Sequence, residues 1–151
     1  MSGAVSYELF TEKTGGSSSG FTAEGGIFET FVNNTGVSVK GTIVIASATV
    51  DQAVDIAPAD SQMPIGVIYE SGIANGSLVK VVVSGKAEVL LKNDTASARG
   101  FWCGVSDTAG RMYQISVPPG VEEENNRKIG HSLSNGSGGT DVLSMVELHF
   151  H

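Results

Sequence analysis

The sequence predicts an all-β protein, a compact β-barrel or sandwich with an extended N-terminal arm. Three observations predict it. Apolar and polar side chains alternate over run after run, the period of strands with one buried face. No window of helical length carries a 3.6-residue apolar period. Twenty glycines against four prolines supply turns without a collagenous or proline-tract composition. At 151 residues and 40% apolar side chains the chain amounts to one domain with a sizeable core.

Residues 1–35 read as the arm. Tyr7 to Phe10 leads into Gly15-Gly16-Ser17-Ser18-Ser19-Gly20, which is linker composition. Gly25-Gly26 then precedes Ile27-Phe28-Glu29-Thr30-Phe31-Val32, a short run rich in aromatic and β-branched residues. Tyr7, Phe10, Phe21 and Phe28 need burial, which a neighbouring subunit, a larger surface or the parent domain would each provide.

Residues 36–151 read as the β-domain. Val37, Val39, Ile43 and Ile45 alternate with Ser38, Lys40, Thr42 and Val44. The clearest strand runs from Val79 through Val81, Val83, Ala87 and Val89 to Leu91, with Lys80, Ser84, Lys86, Glu88 and Lys92 on the other face and Gly85 marking a bend or bulge. Ala57 to Met63 has room for one helical turn. Phe101, Cys103 and Val105 alternate again, as do Tyr113, Ile115 and Val117, while Asn75-Gly76 and Asn135-Gly136 signal turns. Glu122-Glu123-Glu124 reads as a solvated loop.

A repeat runs through this domain. A basic residue and Gly, a strand, a turn, a strand, a loop, Ile-Gly, a loop and a closing strand occur twice. The first copy is Lys40-Gly41, Ile43 to Ile45, Val54 to Ile56, Ile65-Gly66 and Gly76 to Val81. The second is Arg99-Gly100, Phe101 to Val105, Tyr113 to Ile115, Ile129-Gly130 and Gly139 to Leu143. Two such units make a small barrel or sandwich that hides most strand edges.

Charge narrows the partners. Sixteen acidic against nine basic residues give −7, which disfavours nucleic acid and anionic membrane surfaces, since both need clustered Lys and Arg. The single cysteine, Cys103, excludes an intrachain disulfide and makes a Cys-built metal site implausible. Without a basic n-region, an apolar h-region or a run of about 20 apolar residues, the expectation is a soluble product made in the cytosol. The four Asn-x-Ser/Thr sites at Asn33, Asn75, Asn93 and Asn135 then read as turn asparagines.

No catalytic constellation emerges. The histidines are His131, His149 and His151, and no Gly-x-Ser-x-Gly elbow is present. Cys103 reads as a small buried hydrophobe and His131 as a solvated loop residue. Gly136-Ser137-Gly138-Gly139-Thr140 lacks the Lys and the following helix of a phosphate cradle. Asp51 and Asp55 remain solvated acids. Glu147-x-His149-x-His151 is the one metal-like pattern, because a strand projects all three to one face. It ends the chain, where fraying works against a fixed ligand geometry. No metal or cofactor is assigned, and whether these three residues bind metal stays open.

Pro64-Ile65-Gly66-Val67-Ile68, followed by Gly76-Ser77-Leu78-Val79-Lys80-Val81-Val82-Val83-Ser84-Gly85-Lys86-Ala87-Glu88-Val89, resembles the core of the small capsid decoration (cement) proteins of tailed bacteriophages. Arg99-Gly100-Phe101, Ile129-Gly130-His131-Ser132-Leu133 and the segment Val142 to Phe150 extend the resemblance over about residues 36–150. The arm at 1–35 lies outside it. The resemblance implies a non-enzymatic, often homotrimeric β-domain on the outer surface of the virion capsid. It would dock on the shell of major capsid protein and bridge neighbouring subunits against the pressure of packaged DNA. Tyr7, Leu9, Phe10, Ile27 and Phe28 are the arm residues expected to anchor that contact. The alternative from another class is a carbohydrate-binding or fibre-type β-module, which would show Trp102 and Tyr113 on one exposed face. A metal-dependent enzyme on Glu147, His149 and His151 ranks third.

Overall fold

The computed structural model describes residues 18–115 and 121–150. It is an all-β fold with one short helix. The strands are β1 (Ser19–Phe21), β2 (Gly26–Asn33), β3 (Ile43–Ala46), β4 (Ala53–Ile56), β5 (Gly66–Ile68), β6 (Leu78–Leu90), β7 (Trp102–Val105), β8 (Met112–Gln114), β9 (Lys128–Ser132) and β10 (Leu143–Leu148), with α1 (Glu122–Arg127) before β9. They join one sheet in the order β1-β2-β4-β3-β5-β6-β10-β9-β7-β8, with β2 also paired to β6.

That order carries the internal repeat. Read outward from the central β6–β10 pair, β6-β5-β3-β4 on one side answers β10-β9-β7-β8 on the other. The hydrogen bonds repeat as well. Gly41 N donates to Ile68 O at 2.8 Å and Gly100 N to Ser132 O at 2.7 Å, while Ile68 N donates to Thr42 O and Ser132 N to Phe101 O, both at 2.9 Å. Parallel pairing is repeated too, with Val32 opposite Ala53 in the first unit and Leu91 opposite Met112 in the second. Leu91 follows Val32, and Met112 follows Ala53, at the spacing that separates Gly41 from Gly100. β2 in the first unit thus has its counterpart in the far half of β6, and β6 serves both units.

The pairings β2–β4, β4–β3, β3–β5, β5–β6 and β6–β2 close a ring of five strands. Its interior is filled by Val44, Val54, Ile68, Val79 and Val81, with the partly buried Phe31, Ile65 and Val83 packed against them. A second, larger cluster joins both units: Ile43, Val67 and Val82 from the outer wall of the ring meet Val89, Leu91, Cys103, Val105, Met112, Ile129 and Val146. Each of these side chains is essentially solvent-free, and each contributes roughly 1.5–3 kcal/mol in transfer terms. Cys103 belongs to this core; burial pushes its thiol up to about 12, so it packs as a hydrophobe.

β6 needs Gly85. Its φ of +83° is open to glycine at little cost. It marks the point where pairing passes from β2 (Leu78 to Gly85) to β10 (Gly85 to Leu90).

Three features differ from the sequence reading. The boundary at residue 35 cuts into the sheet, because β2 is zipped along β6 from Gly26↔Gly85 to Val32↔Leu78. The run 27–32 is therefore a sheet strand. Ala57 to Met63 forms no helix. The acidic run instead opens α1, where Glu122, Glu123 and Glu124 fill the first turn and Arg127 the last, as the helix dipole favours. A six-residue helix leaves too short a period to detect in sequence.

Candidate functional site

Two surface regions gather the side chains that the sequence singled out. The first is the edge formed by β1 and β2. β1 pairs only with β2, leaving its outer edge without a strand partner among the described residues. Phe21 stands directly opposite Ile27, and the two are 82% and 41% exposed. A solvent-facing aromatic–aliphatic pair on an open strand edge is the pattern that strand addition uses. Beside it lies a shallow groove of about 570 Å³ lined by Ser18, Ser19, Glu29, Thr30, Phe31 and Gln52.

The five expected anchors divide. Tyr7, Leu9 and Phe10 lie outside the described residues. Ile27 is exposed at the edge. Phe28 is half-buried: its ring lies over Gly20, where an added Cβ would come within 3.0 Å of it, and the Lys80 ammonium sits 5.1 Å from its centroid. Phe21 was not among the expected anchors, yet it is the most exposed large apolar side chain described. Its position a few residues before Gly25-Gly26 is the signal that points to a hairpin edge.

The second region is the outward face of β7, β9, β10 and β6. Registered pairing lines up Trp102, His131, Glu147 and Lys86 in one row across these four strands. The Trp102 and His131 rings stack at 3.9 Å between centroids, and the Lys128 ammonium lies 4.3 Å from the Trp102 centroid. His149 presents its Nε2 to His131 Nδ1 at 2.9 Å. His131 is thus a strand residue held between Trp102 and His149, not a solvated loop histidine. Glu147 and His149 do share a face through the strand period; His151 lies outside the described residues. Among the described residues no three His, Cys, Asp or Glu side chains converge on one point.

Partial loss of hydration, with the nearby His131 and Lys128 charges, holds the His149 imidazole below its ordinary range, while Glu147 pulls the other way. The sign of the pH effect follows. Between the lowered folded value and the ordinary one, the unfolded chain binds a proton that the folded chain refuses, so stability falls on acidification through that window. The urea midpoint should drop as the pH is lowered through and below the ordinary imidazole value of about 6.5, and His149→Gln should flatten that slope. An equal slope in the variant would remove His149 as its source.

A cavity of about 410 Å³ lies beside this face, lined among others by Asp60, Lys92, Asp107, Tyr113 and Arg127. Its charges are already matched: Lys92 pairs with Asp107 at 2.6 Å and Arg127 with Asp60 at 3.1 Å. Lys92 holds the Asp107 carboxyl below its usual range. Trp102 and Tyr113 are both half-buried, and each has a cation close to its ring, Lys128 for Trp102 and Arg127 at 6.0 Å for Tyr113. No bare two-ring platform for a sugar is formed. No protein-family profile matches this chain, and no curated protein matches it significantly.

Proposed function

We propose that this chain is a structural protein that decorates the outside of a tailed-phage icosahedral head and holds neighbouring capsid subunits together. The sequence resemblance over residues 36–150 supports the class of protein. The structural observation that carries the reading furthest is the exposed Phe21–Ile27 pair on an open strand edge. A capsid strand added to β1 would satisfy that edge's free N–H and C=O groups and cover both apolar side chains. The anchors Tyr7, Leu9 and Phe10 would extend the same contact.

The chain acts mechanically in this proposal, as a homotrimer on the shell of major capsid protein. Three copies that each touch the shell weakly bind tightly together, because each contact made raises the effective concentration of the next. No catalytic step, cofactor, nucleic acid or membrane enters. The alternative of a carbohydrate-binding or fibre-type module would need the aromatic platform that Lys128 and Arg127 crowd.

The test is co-sedimentation with expanded heads of the encoding phage from which this chain has been stripped. The full chain should bind to saturation, and light scattering of the free protein should give three times 15.6 kDa. Phe21→Ser combined with Ile27→Ser should weaken binding about tenfold or more, the range of a lost hot spot, without lowering the unfolding midpoint. Deleting residues 1–24 should weaken it further. Unchanged binding by both variants would sink the edge contact, and no binding by the full chain would sink the function.

A further inference from the structure

The repeat shows where the second unit departs from the first. In the first unit the row Ile43↔Val67↔Val82 runs across β3, β5 and β6, and all three side chains are buried in the joint core. The matching row across β7, β9 and β10 is Trp102↔His131↔Glu147, which lies at the surface. At the position of a core valine the second unit carries an imidazole, and a second imidazole, His149, meets it from the end of β10. The surface position of this row leaves its residue types free of the core's packing demand, and the second unit uses that freedom to bring two imidazoles together.

We propose that His131 and His149 form a binding site for a tetragonal divalent transition metal ion, with Cu2+ as the preferred ion. The facing atoms are His131 Nδ1 and His149 Nε2, 2.9 Å apart. Two imidazole nitrogens bound to one ion at about 2.0–2.1 Å and at a right angle also stand about 2.9 Å apart. The separation therefore matches a cis edge of a square-planar site. With the ring centroids 5.0 Å apart the facing nitrogens point nearly along the line between them, and each ring turns about its side-chain bonds to aim at the ion while the strands stay in place. Cu2+ favours nitrogen donors in that geometry and leads the divalent series in affinity.

Trp102 borders both rings, lying edge-on to His149 at 5.5 Å between centroids. Trp102 stacks on His131 at 3.9 Å, and the backbone N–H of His149 donates to Ile129 O at 2.8 Å, tying the end of β10 to β9. In the free protein one ring donates its proton to the other. When the ion binds, that proton moves to the remote nitrogen of the same ring, and each facing nitrogen gives a lone pair to the metal. No electron is transferred. Glu147, opposite His131 in the register, supplies a negative charge beside the ion, and water fills the remaining positions. Lys128 works against the cation from the other side of the cluster.

Trp102 is the only tryptophan in the chain, so its emission reports directly on the site. The experiment titrates the full chain with Cu2+ from a glycine-buffered stock and follows that emission. Quenching should saturate at one ion per chain. His149→Gln, an exposed substitution, and His131→Gln should each weaken binding about tenfold or more, and Lys128→Met should strengthen it. His151→Gln should leave the titration unchanged. Quenching that passes one equivalent without a break, that persists at wild-type strength in His149→Gln, or that disappears in His151→Gln would each overturn the proposal. Circular dichroism of every variant separates a lost ligand from a lost fold. If His131→Gln does not fold, the His149→Gln result decides.

Discussion

Replacing Gly130 by alanine should destabilise the fold by about 3 kcal/mol or more, a large share of the 5–15 kcal/mol that holds a typical domain together. Gly130 lies in β9 at φ +155°, and a Cβ there would run into the Glu147 carbonyl oxygen, with the Glu147 carbonyl carbon at 2.9 Å and the Leu148 Cα at 3.1 Å. All three belong to the backbone of β10, which cannot swing aside as a side chain would. The matching glycine of the first unit, Gly66, meets the same obstacle: its added Cβ would collide with Val81 Cγ1 and come within 2.9 Å of Val82 O. The two Ile-Gly steps of the repeat thus each set a glycine against a carbonyl of the neighbouring strand, Gly66 against Val82 and Gly130 against Glu147. Gly76→Ala is the control. Gly76 has φ +90° but open space around it, so it carries only the conformational cost of about 1–2 kcal/mol. Urea denaturation of both variants should rank Gly130→Ala far below Gly76→Ala; equal losses would refute the close-approach account.

Exchanging equivalent residues between the two units should have very unequal consequences. Val67→His places an imidazole at a fully buried position of the joint core with no polar partner, at a cost of about 3 kcal/mol or more. His131→Val puts the aliphatic residue at the surface row, where the loss is the stack on Trp102 and one hydrogen bond, about 1 kcal/mol. The thermal midpoints of the two variants should therefore diverge widely. If His131→Val proved as damaging as Val67→His, the His131 cluster would be a pillar of the fold.

The strands with strict alternation were legible in the sequence, β6 above all, including the irregularity at Gly85. The repeat was legible because its markers, Lys40-Gly41 with Arg99-Gly100 and Ile65-Gly66 with Ile129-Gly130, are tied to backbone contacts that leave few residue choices. β2 was visible as a β-prone run but not as part of the sheet. Its partner is fifty residues away along the chain, and long-range pairing leaves no local trace. The site was half legible. Strand period alone put Glu147 and His149 on one face. His131 joins them through the β9–β10 register, which no spacing within one strand can reveal.

β6 belongs to both units at once. Its near half closes the five-strand ring and its far half is hydrogen-bonded to β10. The repeat is therefore not two domains in tandem, and no cut between the copies leaves two complete cores. A pull applied at the β1–β2 edge passes along β2 into one continuous strand of about 43 Å and reaches β10 through bonds loaded in shear. Strain taken up at one end of the molecule would be shared with the other along a single strand, as the proposed clamp on a pressurised shell would require.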